Sequence, residues 1–289
     1  MLKYAVFLPN FGPYGDARIL AQLARDAETA GWDGFFIWDH IAAWGNREMV
    51  DPWVALAAIA LQTERVRIGA MITPLPRRRP WKVARETVSI DHLSGGRLTL
   101  GVGLGVHADE FGYLGEETDS KVRGAMLDDG LEVLNKLWSG ETITHEGQYY
   151  PVKQARFLPT PVQSPRIPVW VGGVWPNKAP LRRAARWDGM FTLFNEESET
   201  EIASLKQAVA FVQSLRQDGQ PFDVVYAGRP TPGDDPAQAA EIVSQYAEVG
   251  VTWWLENITP FSFGQTMEEE WPLAAMHQRI LQGPPTLEG

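Results

Sequence analysis

No cysteine occurs in the 289-residue chain, which excludes a disulfide framework, a thiolate nucleophile, a Cys-ligated zinc and an iron–sulfur cluster, and fits a cytoplasmic setting. Positive charge is in deficit. With 26 Lys and Arg against 36 Asp and Glu the formal charge is −10, so nucleic acid is not an expected partner. Long apolar runs are missing too. None approaches the roughly 20 residues of a membrane span, and the opening MLKYAVFLPNFG breaks at Pro9 and Asn10, so neither a secretion signal nor a membrane partner is expected. The five histidines show no His-x-His or His-Glu-x-x-His spacing, the usual sequence mark of a metallohydrolase, and no metal ligands are assigned. A Gly-x-Ser-x-Gly elbow and a P-loop are also lacking, which argues against serine hydrolase and nucleotide phosphohydrolase chemistry.

What is present is a regular alternation. Eight short β-branched and aromatic runs, Tyr4–Pro9, Gly34–Asp39, Val66–Ile72, Leu98–Leu104, Ile167–Val171, Gly189–Phe194, Asp223–Ala227 and Val251–Glu256, read as strands buried on both faces. Helical patterns follow them. Asp16 caps the first, whose Ile19, Leu20, Leu23 and Ala27 share a face, and Gly31 follows its end. Further helices are expected at Asp51–Gln62, Pro80–His92, Ser120–Trp138, Lys178–Trp187, Glu199–Gln217, Pro236–Val249 and Met267–Leu281. Eight strand–helix units close most simply as an α/β (β/α)8 TIM barrel, a single domain over residues 1–289. An open doubly wound sheet would carry an early glycine-rich turn, and Asn10-Phe-Gly-Pro-Tyr-Gly15 is not one. Glu141–Val152 reads as a β-hairpin inserted between the fourth helix and the fifth strand.

Barrel active sites lie at the carboxyl ends of the strands, so each candidate is sorted by the strand end it follows. After strand two come Asp39, His40 and Trp44. A carboxylate beside an imidazole suits proton transfer, although Asp also ends strands by capping turns. After strand three, Arg77, Arg78 and Arg79 either bind an anion or pair with nearby acids. Strand four carries Gly101, Gly103 and Gly105 at period two, leaving room either for a planar ring or for bulky neighbours. His107 and Glu110 follow it, and Gly172-Gly173 after strand five is either an anion cradle or a tight turn. Trp175 and other aromatics near the mouth suit a dry pocket for a ring system.

These residues together resemble the bacterial luciferase-like flavin-dependent oxidoreductases, a family of flavin monooxygenases and relatives using the 5-deazaflavin F420. The carriers are Trp38-Asp39-His40, Thr73-Pro74-Leu75, Leu93-Ser-Gly-Gly-Arg-Leu-Thr-Leu-Gly-Val-Gly-Leu-Gly105, Ile167-Pro-Val-Trp-Val-Gly-Gly173, Ala184-Ala-Arg-Trp-Asp-Gly189 and Gly250-Val-Thr-Trp-Trp-Leu255. The resemblance implies an FMN-dependent monooxygenase or an F420-dependent oxidoreductase acting on a small organic substrate, with FMN as first cofactor and F420 as the alternative. It implies His40 and Asp39 as catalytic groups, and Ala70, Met71, Thr73, Gly103, Gly105, Gly172 and Gly173 against the cofactor. Trp44, Arg77, Arg79, His107, Glu110 and Trp175 are expected to meet substrate. A homodimer and a separate flavin reductase are the implied partners. A bulge near Ala70-Met71 is expected, with a cis non-proline peptide in some relatives. One departure stands out: Val106 occupies the place of a Glu in the F420 sugar-phosphate dehydrogenases, and Glu110 is the nearby acid expected to substitute. Two other readings remain: a flavin-binding protein without turnover, and a metal-dependent hydrolase.

Overall fold

Strands that are apolar on both faces need a layer on each side, and the chain supplies one by curling its sheet into a ring. The computed structural model describes residues 2–42, 45, 47–194, 201–216 and 219–285. Its barrel strands are β1 (Lys3–Leu8), β2 (Gly34–Ile37), β3 (Arg67–Ala70), β4 (Thr73–Pro74), β5 (Leu100–Gly103), β8 (Val169–Trp175), β9 (Gly189–Phe194), β10 (Asp223–Gly228) and β11 (Trp253–Asn257). Between β5 and β8 an antiparallel pair, β6 (Thr142–His145) and β7 (Val152–Arg156), stands outside the ring. The parallel order is β3-β2-β1-β11-β10-β9-β8-β5-β4. Its two ends meet, because Ile68 bridges Leu98 and Thr73-Pro74 pairs with Val102-Gly103. β3 and β4 are therefore two pieces of one stave, divided at Met71-Ile72, whose peptide is cis.

The helices are α1 (Ala17–Thr29), α2 (Pro52–Gln62), α3 (Pro80–Leu93), α4 (Ser120–Trp138), α5 (Lys178–Ala184), α6 (Glu201–Leu215), α7 (Pro236–Glu248) and α8 (Leu273–Leu281). Asp16 caps α1 by accepting from Arg18 N at 2.7 Å. The last helix starts at Leu273 rather than Met267, since Pro272 lacks an N–H and disfavours helical geometry in the residue before it. Strand period two then sorts the side chains. Phe7, Phe36, Trp170, Phe191, Trp253 and Leu255 fill the barrel, while Val6, Ile37, Ile68, Ala70 and Val171 face the helices. At the amino end of the barrel, Asp223 accepts from Trp170 Nε1 and from Thr252 Oγ1, each at 3.1 Å.

Two segments differ from the sequence reading. β8 runs to Trp175 instead of ending at Val171, because β9 supports it through Gly172↔Phe191, Gly173↔Thr192 and on to Trp175↔Phe194. On its other side β5 accompanies it only as far as Val171. The hairpin's second arm lies later than expected, at Val152–Arg156, because residues 146–151 form a loop fastened to α4. Asp129 Oδ2 accepts from Tyr149 N at 2.7 Å and Tyr150 N at 3.0 Å, and Oδ1 meets His145 Nε2 at 2.5 Å. His145 is thereby committed to holding the hairpin. Among the described residues no helix is long and apolar enough to cross a membrane.

Candidate active site at the barrel mouth

The carboxyl ends of β1, β2 and β4 are laced together before any chemistry is possible. Asn10 follows β1; its Nδ2 donates to His40 O at 2.9 Å and to Val50 O at 2.8 Å, and its Oδ1 accepts from His40 N at 3.2 Å. The main chain at His40 is thus fixed by a neutral side chain that is itself fully buried.

Asp39 and Arg77 follow the strand ends the sequence reading gave them, and there they pair with each other. The Asp39 carboxylate takes Arg77 Nη2 at 2.7 Å and Arg78 Nη2 at 2.8 Å, and its side chain has 0% exposure. Arg77 is 2% exposed and donates its Nη1 to Glu110 Oε2 at 2.8 Å. Charge pairing inside the protein engages these groups with one another: Asp39 with both arginines, and Arg77 with Glu110 as well. Arg79 leaves the cluster altogether: it is the exposed N-cap residue of α3, and its charge acts on Tyr150 of the hairpin loop.

Glu110 is the pivot of the cluster. Besides Arg77, its Oε1 accepts from Ile41 N at 2.6 Å and meets His40 Nδ1 at 3.2 Å. Burial alone would raise this carboxyl, but the hydrogen bond and charge of His40, the Arg77 guanidinium and the Ile41 N–H outweigh it and hold it at about 2. A carboxylate so placed stays ionised and cannot act as the proton donor that Val106 lacks. An ionised carboxylate at this place favours the His40 tautomer that carries its hydrogen on Nδ1, facing Glu110. Around His40 stand Phe11, Trp38 and His107, with ring centroids 6.3, 5.7 and 5.0 Å away.

The glycines turn out to serve packing. A Cβ on Gly103 would collide with Ile72 Cδ1, and one on Gly172 would meet the same atom at 2.5 Å, so the Ile72 side chain occupies the room they leave. Gly105 has φ +76° and would meet the Phe111 ring at 2.5 Å, and Gly173 would strike Pro180 of α5. At each of the four a side chain already stands where a Cβ would go. At the carboxyl end of β3, the Ala70 side chain packs with the helix layer and Met71 with the barrel interior, its sulfur against Gly101. Trp175 ends β8 at the rim, and Trp44 lies outside the described residues.

Two polar atoms near the rim lack any partner although they are hidden from water, Thr73 Oγ1 on β4 and Asn257 Oδ1 on β11; Thr192 Oγ1 on β9 lacks one too, on the helix side of its strand. Each such atom costs about 1–3 kcal/mol unless something answers it. Asn257 lines a cavity of ≈ 530 Å³ at the ends of β9 to β11, with Phe194, Arg229, Thr259 and Phe261. Tyr226 forms its wall; burial, with Tyr246 and Glu201 adding to it, pushes that phenol well above its ordinary range, so it stays neutral. Thr192 and Asn257 were missed in the sequence because lone polar residues inside apolar strands carry no motif. Among the described residues no group of three or more His, Asp and Glu could hold a metal ion.

The comparisons agree with this architecture. An F420-dependent glucose-6-phosphate dehydrogenase of Microbacterium testaceum (strain StLB037) is 33% identical over 212 residues, 71% of this chain and 60% of that protein. A second protein of that description, from Tsukamurella paurometabola, is 33% identical over 231 residues, 78% of this chain and 66% of its own length. The chain therefore spans less than two thirds of either relative. Among solved structures, monooxygenase RslO1 from Streptomyces bottropensis matches with a TM-score of 0.78 and 18% identity, over 96% of both chains. An F420-dependent secondary alcohol dehydrogenase matches with a TM-score of 0.75 and 16% identity, over 89% of this chain and 93% of that one. These two likenesses are ones of fold. A family model described as luciferase-like monooxygenase matches residues 2–282, and the chain belongs to that family.

Proposed function

We propose that this chain is an oxidoreductase that binds a flavin-type cofactor at the barrel mouth, F420 in preference to FMN, and exchanges a hydride with a small alcohol or carbonyl substrate. The order of the two cofactors reverses the first expectation. Its support is that the relatives at 33% identity are described as F420-dependent, whereas the monooxygenase RslO1 shares 18%. A homodimer is kept as part of the proposal, and with F420 a flavin reductase is not required.

The observation that carries the site is Asn257 Oδ1, a buried atom without a partner in the wall of a cavity of ≈ 530 Å³, with Thr73 Oγ1 likewise without a partner on β4. That volume lies within the range of small-molecule sites, and hydroxyl and amide groups suit the mixed donors and acceptors along the edge of a flavin-type ring. When bound, F420 supplies a carbon that accepts or returns a hydride. The chain does the rest. Thr73 orients the ring by hydrogen bonding, and main-chain groups of β8 beyond Val171 hold the phosphate. His40 Nε2 removes the hydroxyl proton of an alcohol or returns it to a carbonyl, while Glu110 keeps its imidazole in one tautomer. Asp39, Arg77 and Glu110 are thus positioning groups rather than catalytic ones. Phe7, Trp38 and Phe191, with Phe7 5.9 Å from Trp38 and 6.0 Å from Phe191, form an apolar floor that excludes water.

Titration of the purified chain with F420 and, separately, FMN tests this, followed by quenching of tryptophan emission. Saturable binding of F420 at one equivalent, tighter than FMN, is expected. Binding of FMN alone would favour the monooxygenase reading, and saturation by neither would refute the cofactor assignment. Loss of F420 absorbance is then followed with propan-2-ol, longer secondary alcohols and glucose 6-phosphate. Tight cofactor binding with no oxidation of any alcohol would favour the non-catalytic reading.

A further inference from the structure

His107 comes from the loop after β5, yet its ring lies edge-on to that of His40, with centroids 5.0 Å apart and planes at 78°. His40 is a confined base, its side chain 14% exposed. A proton that arrives on Nε2 must leave before the next turnover, and the described contacts of the ring differ in whether they can take it. Phe11 and Trp38 have no basic atom in their rings. Glu110 faces Nδ1 and is held ionised by Arg77, with its carboxyl at about 2, and Asp39 is saturated by Arg77 and Arg78. His107 is the basic ring in contact with His40, and it is partly exposed to solvent. Burial, and next the charge of His40, lower its pKa, while Glu110 and Asp109 act in the other direction. The net lowering makes His107 a neutral acceptor at neutral pH.

We propose that His40 and His107 work as one proton-handling pair, in which His40 exchanges the proton with substrate and His107 carries it between His40 and solvent. The inference rests on the oxidoreductase reading above. In the oxidative direction the substrate O–H bond would break and its proton would go to His40 Nε2; the bound cofactor would supply the acceptor for the hydride lost from C–H as the C=O bond forms. His40 then passes that proton to neutral His107, directly or across one water, and His107 releases it to bulk water. His107 acts through His40 and does not touch substrate.

The first test needs no cofactor. Imidazole nitrogens of the full chain are followed by ¹⁵N NMR from pH 5 to 9 in the native protein, His40→Gln and His107→Gln; five histidines make assignment tractable. His107 should titrate below its ordinary 6.5. In His40→Gln its midpoint should rise by at least about 0.6 pH unit, the repulsion between two charges 5 Å apart even with the screening of bulk water. A His107 midpoint identical in both proteins would overturn the pair.

The second test uses F420-loaded chain and propan-2-ol. His107→Gln should lower kcat several-fold at unchanged KM, and raising the imidazole buffer concentration should restore it, whereas His40→Gln should be inactive and beyond rescue. An unchanged kcat in His107→Gln, or a loss that no buffer relieves, would overturn the carrier role. If the native chain oxidises no alcohol, the alcohol reading fails and the NMR result alone decides whether the two rings share a proton.

Discussion

Replacing Glu110 by Gln keeps the shape of the side chain while removing one charge from the cluster beneath the mouth. The native carboxyl is held at about 2 against an ordinary 4.5. That difference corresponds to about 3.4 kcal/mol of stability at neutral pH by linkage. Water reaching the His40 side screens part of it, so a loss of about 2 kcal/mol is expected for Glu110→Gln at pH 7. The sign follows from the folded value being the depressed one. The contribution is complete above pH 4.5 and disappears as the pH falls through about 2. The gap between native and variant should therefore shrink to about three-fifths at pH 3.5. Guanidinium unfolding at 25 °C, read by tryptophan emission at pH 7, 5 and 3.5, measures the gap directly. A gap below about 0.5 kcal/mol at pH 7, the size of an exposed ion pair, would refute the buried-cluster account. So would a gap of equal size at pH 7 and pH 3.5.

Thr192→Val removes a buried hydroxyl that has no partner on the helix side of β9, so the cofactor-free chain should gain about 1 kcal/mol with F420 affinity unchanged; calorimetric titration and unfolding on one sample check both. Gly105→Ala places a Cβ against the Phe111 ring at φ +76° and should cost about 1–3 kcal/mol, measured by denaturant midpoint. Asp129→Asn should release the hairpin. Burial raises the Asp129 carboxyl, but His145 and the Tyr149 and Tyr150 N–H groups bring it below its ordinary value, so the latch is complete at neutral pH and weakens on acidification. Faster amide exchange confined to residues 142–156 in the variant is the expected result.

The barrel was legible in the sequence because burial on both faces forces long apolar strands and because Asp16, Gly31 and Pro80 punctuate the helices between them. Ser120–Trp138 is a helix with the expected bounds for that reason. β8 was read too short because Gly172-Gly173 looks like a turn, and only the partner strand β9 shows that it continues. The site was legible in its elements but not in its roles. His40 and Asp39 are adjacent in sequence and therefore point to opposite sides of the chain. One reaches the mouth, and the other reaches two arginines that arrive from 38 and 39 residues away. Period two in Gly101, Gly103 and Gly105 announced vacant space, yet nothing local announced that Met71, Ile72 and Phe111 would claim it. Such pairings depend on long-range packing, which composition and spacing do not encode.

A closed ring of strands normally denies other polypeptides any lateral rim to extend. Here one stave outlasts its neighbour: β8 continues from Gly172 to Trp175 beside β9, after β5 has stopped accompanying it. Four residues are too few to template an invading strand. They are long enough to offer amide hydrogens to a small anion, and on the proposed reading a ligand would cover the same backbone that would be an aggregation hazard on an open sheet.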